Sequence, residues 1–361
     1  MKRIIVFDSP QPRGKENMCF DSSLDKMGNG LALSYRLGRE ARRRGFDILT
    51  SDVFLSKKNH DEPAYCITEM YTQYTKALLA ANVFPMICFS LESPLVAHKF
   101  YYNIEQYSGR FKYSYQFLGI KKKLDSTDTI YKNIVFPVET REFEIYIPWN
   151  DRQYLVMVNS NKQALEQNFQ NLKNTVLSFA KTTRLHIWKL TEPLLRVKNL
   201  YRERVNAIKY FSNSSEFHLY GFGWKDPIRG FSSDFSLAAK KCYKGTIENK
   251  RKILGNYKFT LCFENCIFPG YITEKITDCF LAGSIPVYWG ASDIDDFVPP
   301  NSFIDFRTFN SFEKLNLYLS NISECEAKNY LQAGKNFILS EAFDRFDMDK
   351  LITEWLDLLP R

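Results

Sequence analysis

Residues 261–290 read LCFENCIFPGYITEKITDCFLAGSIPVYWG. An apolar run stops at Glu264 and Asn265, and a short loop with Pro269 and Gly270 follows. Beyond it Ile272, Ile276 and Phe280 fall on one face of a helix, with Thr273 near its start and Glu274 in its first turn. Gly283 ends that helix, and Ile285–Trp289 reads as a second buried strand. Strand, helix and returning strand make a βαβ crossover, so Glu264 to Tyr271 lie outside the carboxyl end of the first strand. Doubly wound α/β folds bind their ligands at that edge.

The same alternation extends in both directions. RIIVF (3–7) reads as a strand, GLALSYRLGREARRRG as a helix closed by Gly45, and FDILTSD as the next strand. TQYTKALLAANV gives a further helix before the strand in PMICFSLESP. Residues 98–150 have no clear period and read as an excursion on the N-terminal half. A second start follows at RQYLVMVNSNKQ, where a strand at 154–158 leads into a helical pattern to about residue 181. YRERVNAIKYF and ENKRKILGNY read as helices, EFHLYGFGW as a strand with a Gly-rich turn, and DMDKLITEWLDLLP as an amphipathic tail helix. The expected class is α/β, with two Rossmann-like doubly wound domains and a cleft near residue 152. The expected boundaries are 1–152, 153–345, and 346–361 for the C-terminal helix.

Composition narrows the function. A chain of 361 residues with 45% hydrophobic and 25% charged residues is globular, and its length implies two cores. The net charge of +8 suits a phosphate-bearing ligand or an anionic surface. The basic runs Arg42–Arg44 and Lys121–Lys123 lack the aromatic interleaving of a nucleic-acid platform, and no DNA- or RNA-binding motif is present. No apolar run reaches the ~18 residues of a membrane span, and the first residues lack a signal-peptide core. The eight cysteines form no C-x-x-C pair and read as buried thiols of a reducing compartment. The four histidines do not cluster with them as a zinc site would require. These features lead to the expectation of a cytoplasmic protein.

The loop carries the chemistry. A helix N-terminus beside Lys275 suits a negatively charged group such as a pyrophosphate. Glu264 and Glu274 can accept from ribose or sugar hydroxyls, Asn265 can donate and accept, and Tyr271 adds a ring edge and a hydroxyl. Each residue alone has a plain structural reading; five in one βα loop point to a site.

YKFTLCFEN, then YITEK, AGSIPVYWG and PPNSFID, between residues 257 and 305, resemble the donor-binding signature of glycosyltransferase family 10, the α-1,3/1,4-fucosyltransferases. YLVMVNSNK, HLYGFGW and SLESP extend a weaker resemblance over most of the chain. The resemblance implies a GT-B arrangement with the active site in the interdomain cleft, and transfer of L-fucose from GDP-fucose with inversion to a saccharide hydroxyl. By it, Lys275 and Arg204 would meet the donor phosphates, with Arg202 the alternative to Arg204. Tyr271 and Glu274 would hold ribose and sugar, Asn265 and Glu264 would shape the pocket, and Glu92 of SLESP would be the general base. Inversion requires a carboxylate that takes the acceptor proton and fixed cations that stabilise departing GDP. No metal or other cofactor is expected to be essential. Asp293 and Asp295 form a D-x-D, the pattern by which other glycosyltransferases hold Mn²⁺ or Mg²⁺, but an acidic surface turn reads better there. A different nucleotide-linked sugar, or nucleotide-sugar binding without catalysis, is the alternative. The charge and the tail helix leave room for peripheral association with a membrane surface.

Overall fold

The computed structural model describes residues 3–11, 13–26, 29–57, 62–118, 128–144, 147–161, 197–224 and 233–360. The helical pattern running to about residue 181, the Lys121–Lys123 run and most of the polar stretch at 125–129 lie outside the described residues. The chain forms two compact units: Met1–Thr140 with Asp344–Arg361, and Arg141–Phe343.

In the first unit six strands form one parallel sheet in the order β2-β1-β3-β4-β5-β6. They are β1 (Arg3–Asp8), β2 (Phe46–Thr50), β3 (Ala64–Glu69), β4 (Phe84–Phe89), β5 (Tyr113–Gln116) and β6 (Ile130–Asn133). The near-continuous apolar runs of β1 and β4 suit strands covered on both faces, and β3 between them is buried at every residue. The expected helices are present as Asn29–Arg43 and Gln73–Ala80, and Gly45 after the first adopts φ 80°, a left-handed conformation open to glycine. The stretch 98–150, unreadable by period, contains β5 and β6, each four residues long.

The second unit repeats the plan with the parallel order β10-β9-β7-β11-β13-β14. Its strands are β7 (Gln153–Val158), β9 (Phe217–Tyr220), β10 (Tyr243–Gly245), β11 (Tyr257–Phe263), β13 (Ile285–Trp289) and β14 (Ile304–Asp305). A two-residue antiparallel pair joins β8 (Lys198–Asn199) to β12 (Cys266–Ile267). The crossover in residues 261–290 has the expected form: β11 pairs in parallel with β13, and the helix Glu274–Ala282 connects them. Ile276, Cys279 and Phe280 on that helix are buried, and Gly283 closes it at φ 71°.

The division falls elsewhere than at residues 152 and 346. Residues 141–152 belong to the second unit because its backbone holds them: the Glu144 N–H donates to the Leu281 carbonyl at 2.9 Å, and Arg152 donates to the Ile147 and Gly283 carbonyls. The tail helix Met348–Asp357 is no separate element but part of the first unit. Its fully buried Trp355 packs against Phe89 at 4.7 Å and Tyr115 at 5.6 Å between ring centroids.

Candidate functional site

Glu264 sits where β11 ends, its N–H donating to the Trp289 carbonyl of neighbouring β13 at 2.8 Å. The loop that follows returns to the helix Glu274–Ala282, and this places Glu264 and Lys275 side by side. Glu264 is fully buried. Its Oε1 accepts from the Thr273 N–H at 2.8 Å and from Thr273 Oγ1 at 2.9 Å. Its Oε2 lies 2.8 Å from Thr273 Oγ1 and accepts from Lys275 Nζ at 3.0 Å. Lys275 Nζ also donates to Thr273 Oγ1 at 2.9 Å. A buried carboxylate is tolerable only with such partners. Glu264, read from the sequence as a hydroxyl acceptor, therefore holds the ammonium of Lys275 and the first residues of the helix in place.

A second arm comes from the helix Tyr201–Phe211. Arg204 is 3% exposed and donates through Nε and Nη2 to the Phe263 carbonyl, at 3.2 and 2.6 Å, and through Nη2 to Asn265 Oδ1 at 2.9 Å. Asn265 Nδ2 donates in turn to the Tyr271 hydroxyl at 3.1 Å. Burial lowers the Arg204 pKa, opposed by Tyr201, Glu264 and Tyr271. Arg202 is exposed on the same helix, so of the two candidates it is Arg204 that reaches the loop.

Glu274 opens the helix, and its exposed fraction is larger than that of Glu264. Burial would raise its pKa, but Lys275 and Lys250, with the helix N–H groups, outweigh that and hold it at about 2. Lys250 itself reaches Glu274 at 3.6 Å and Asp278 at 2.8 Å, and Arg251 joins Asp278 at 2.9 Å. Burial disfavours the Lys250 charge, yet Asp278 and Glu274 lift its pKa above the usual lysine range. Lys250 and Asp278 were not identified from the sequence, because a lysine in ENKRKIL and an aspartate inside a helix carry no distinguishing pattern. Gly290 was missed too. A Cβ there would come within 2.4 Å of both Glu264 Cγ and the Tyr288 hydroxyl, so the close approach requires glycine.

In the first unit, Glu92 follows β4 and is partly buried, its N–H donating to the buried Ser90 Oγ at 3.3 Å. The D-x-D pair has other partners: Asp293 Oδ1 accepts from the Gly270 N–H at 2.8 Å, and Asp295 lies 3.5 Å from Arg307. Asp293 thus ties the βα loop down. Among the described residues, no three His, Cys, Asp or Glu side chains converge on a metal-sized site.

Comparison with known proteins identifies the region that holds this cluster. Residues 181–337 match the family model described as glycosyltransferase family 10 (fucosyltransferase) C-term. The alpha-(1,3)-fucosyltransferase FucT of Helicobacter pylori is 35% identical over 98 residues, 27% of this chain and 19% of that protein. An alpha-(1,4)-fucosyltransferase of Arabidopsis thaliana is 41% identical over 71 residues, 20% of this chain and 18% of that protein. The aligned stretches therefore span about a fifth of each relative's own length. The crystal structure of an alpha1,3-fucosyltransferase shares the fold, with a TM-score of 0.50 at 16% identity, over 99% of this chain and 89% of that one. Two doubly wound parallel sheets, one per unit, are the plan of the GT-B glycosyltransferases.

Proposed function

We propose that this chain, which carries the C-terminal domain of glycosyltransferase family 10 and so belongs among the fucosyltransferases, moves L-fucose from GDP-fucose to a hydroxyl of a saccharide acceptor. The observation that carries the reading is the cluster at the carboxyl end of β11. There two adjoining hydrogen-bonded groups inside the family-matched residues hold the cations: the Phe263 carbonyl and Asn265 hold Arg204, and Glu264 and Thr273 hold Lys275 at a helix N-terminus.

The chemistry follows from the charges. Lys275 and the N–H groups at the start of Glu274–Ala282 favour a pyrophosphate, and Arg204 adds a second cation. Glu264 and Asn265 orient these two cations before the donor arrives, which lowers the ordering cost of binding. Tyr271 and Glu274 offer a hydroxyl and a carboxylate to ribose and sugar. In the transfer the acceptor oxygen attacks the anomeric carbon while the bond from that carbon to the phosphate oxygen breaks. Its electron pair leaves on GDP, and Lys275 and Arg204 stabilise the growing charge. The acceptor proton passes to Glu92, and single attack on the face opposite the departing GDP inverts the anomeric carbon. The linkage we assign is α-1,3 or α-1,4, as in the relatives.

These fixed cations can serve the leaving group without a metal ion. The net charge of +8 would also support peripheral binding of a cytoplasmic protein to an anionic membrane surface. The decisive assay measures donor hydrolysis across a panel of GDP- and UDP-sugars and then transfer to a panel of oligosaccharides, each with and without chelator. Selective turnover of GDP-fucose with release of GDP supports the reading. Turnover of another donor, or GDP binding without turnover of any, would replace it.

A further inference from the structure

The carboxyl edge of the first unit's sheet brings three carboxyl groups together on adjacent strands. Asp8 ends β1, Glu69 ends β3 and Glu92 follows β4. Asp8 and Glu69 are both buried, but their surroundings differ. Asp8 accepts from four hydroxyls: Ser51 at 2.9 Å, Thr68 at 3.3 Å, Thr72 at 2.7 Å and Thr75 at 2.5 Å. Glu69 has one side-chain hydrogen bond among the described residues, from Ser9 Oγ at 2.6 Å.

Glu69 also lines a small recess that opens to solvent, together with Ser9, Arg13, Cys19, Phe89 and Leu91. Leu91 of that lining precedes Glu92 in the chain, and Glu69 pairs in register with Phe89, three residues before Glu92. Ser9 contacts Glu69 directly, Asp8 and Glu92 act on it through their charges, and Arg13, Cys19 and Ser34 line the same recess. Burial raises the Glu69 pKa to about 7, the Ser9 hydrogen bond opposes the rise, and the charges of Glu92 and Asp8 add to it.

We propose that Glu69 is a positioning residue for the transfer: the protonated member of a Glu69–Glu92 carboxyl pair, whose proton keeps Glu92 as the anion that accepts the acceptor hydroxyl's proton. Two neighbouring carboxylates do not both ionise cheaply, and the proton goes to the more buried one, here Glu69. That leaves the more exposed Glu92 charged and basic. When Glu92 receives the acceptor proton, its charge no longer opposes ionisation of Glu69, so the two titrate as a unit. The inference rests on the assignment of Glu92 as base and extends it by naming what sets the charge of that base.

The test uses the full chain labelled at glutamate carboxyl carbons, followed by NMR against pH without substrate, with Glu69→Gln identifying the signal by subtraction. The Glu69 carboxyl is expected to titrate near 7, and to move toward the ordinary glutamate range in Glu92→Gln. In Glu69→Gln, transfer should persist within several-fold of the parent, while the pH profile of kcat/KM loses its inflection near 7. Stability supplies a readout independent of activity. A carboxyl raised in the folded state binds more protons there than in the unfolded chain, so it costs stability as pH rises above the ordinary glutamate value. Glu69→Gln should therefore raise the unfolding midpoint more at pH 8 than at pH 5. A Glu69 signal titrating in the ordinary range, or one indifferent to Glu92→Gln, overturns the pair even where Glu92→Gln is inactive. Persistent transfer by Glu92→Gln instead overturns the base assignment, whatever the carboxyl titration shows.

Discussion

The contact between Lys275 and Glu264 makes a prediction that stability and binding can check together. In Lys275→Met the fully buried Glu264 loses its counter-charge and, among the described residues, keeps the N–H and hydroxyl of Thr273. Removing one partner of a buried ion pair costs ~3–5 kcal/mol. In a unit the size of Arg141–Phe343, each kcal/mol moves the midpoint by ~2–4 °C. Thr273 moderates the loss, so we expect the lower part of that range, a fall of roughly 6–10 °C. Glu264→Gln should cost less, because the Lys275 side chain is 13% exposed and can turn its ammonium to water, whereas Glu264 at 0% cannot. The double variant should recover part of the Lys275→Met loss, giving a coupling of at least ~1 kcal/mol in a double-mutant cycle. GDP affinity by calorimetry should fall about 10- to 150-fold in Lys275→Met, the worth of a charge-assisted bond of ~1.5–3 kcal/mol. A midpoint within about 2 °C of the parent, or strictly additive single effects, would refute the ion-pair argument. An unchanged GDP affinity would remove Lys275 from the donor site while leaving its structural part intact.

Further outcomes follow from neighbouring features. Gly290→Ala places a Cβ within 2.4 Å of Glu264 Cγ, so it should cost ~1–3 kcal/mol in urea unfolding and weaken GDP binding by displacing Glu264. The Glu274 pKa is depressed to about 2, so its contribution is present above the ordinary glutamate value and is lost as pH falls toward 2. Glu274→Gln should accordingly flatten the fall in stability across that window, as read by denaturant titrations at several pH values. Thr75→Val removes the 2.5 Å donor to Asp8 and should lower the stability of the first unit by ~1–3 kcal/mol, with GDP affinity unchanged. Trp355→Ala empties a fully buried site against Phe89 and Tyr115 and should cost ~3–5 kcal/mol, again without loss of GDP binding.

Legibility in the sequence tracked local physics. The βαβ crossover was readable because its helix has a clean apolar face, an acidic first turn and a terminal glycine, all short-range signals. YRERVNAIKYF matches its helix Tyr201–Phe211 end to end for the same reason. β3 was not identified, since AYCITE mixes apolar and polar residues that are all buried, including Thr68 and Glu69. β5 and β6 are too short for a period to register; β5 takes its register from β4, and β6 from β5. At the site, the residue types and their place on one loop were legible. Which oxygen receives which proton was not, since the Glu264–Thr273–Lys275 triangle depends on how the loop folds back. The recess beside Glu69 was equally hidden, being assembled from β1, β3, β4 and a helix far apart in sequence.

The connectivity of the two units also bears on how the chain is made. The first unit is interrupted: its sheet is encoded by the first 140 residues, but the helix bearing Trp355 is encoded after the whole second unit. Chains emerge from the ribosome at roughly 5–20 residues per second, and their domains fold as units. The nascent first unit must therefore wait through about 200 intervening residues, ~10–40 s at that rate, before Phe89 and Tyr115 meet their partner. The second unit is synthesised without such a gap and can finish first. The second unit can thus close before the first, whose sheet bearing Glu69 is covered by Trp355 only once the helix Met348–Asp357 has been made.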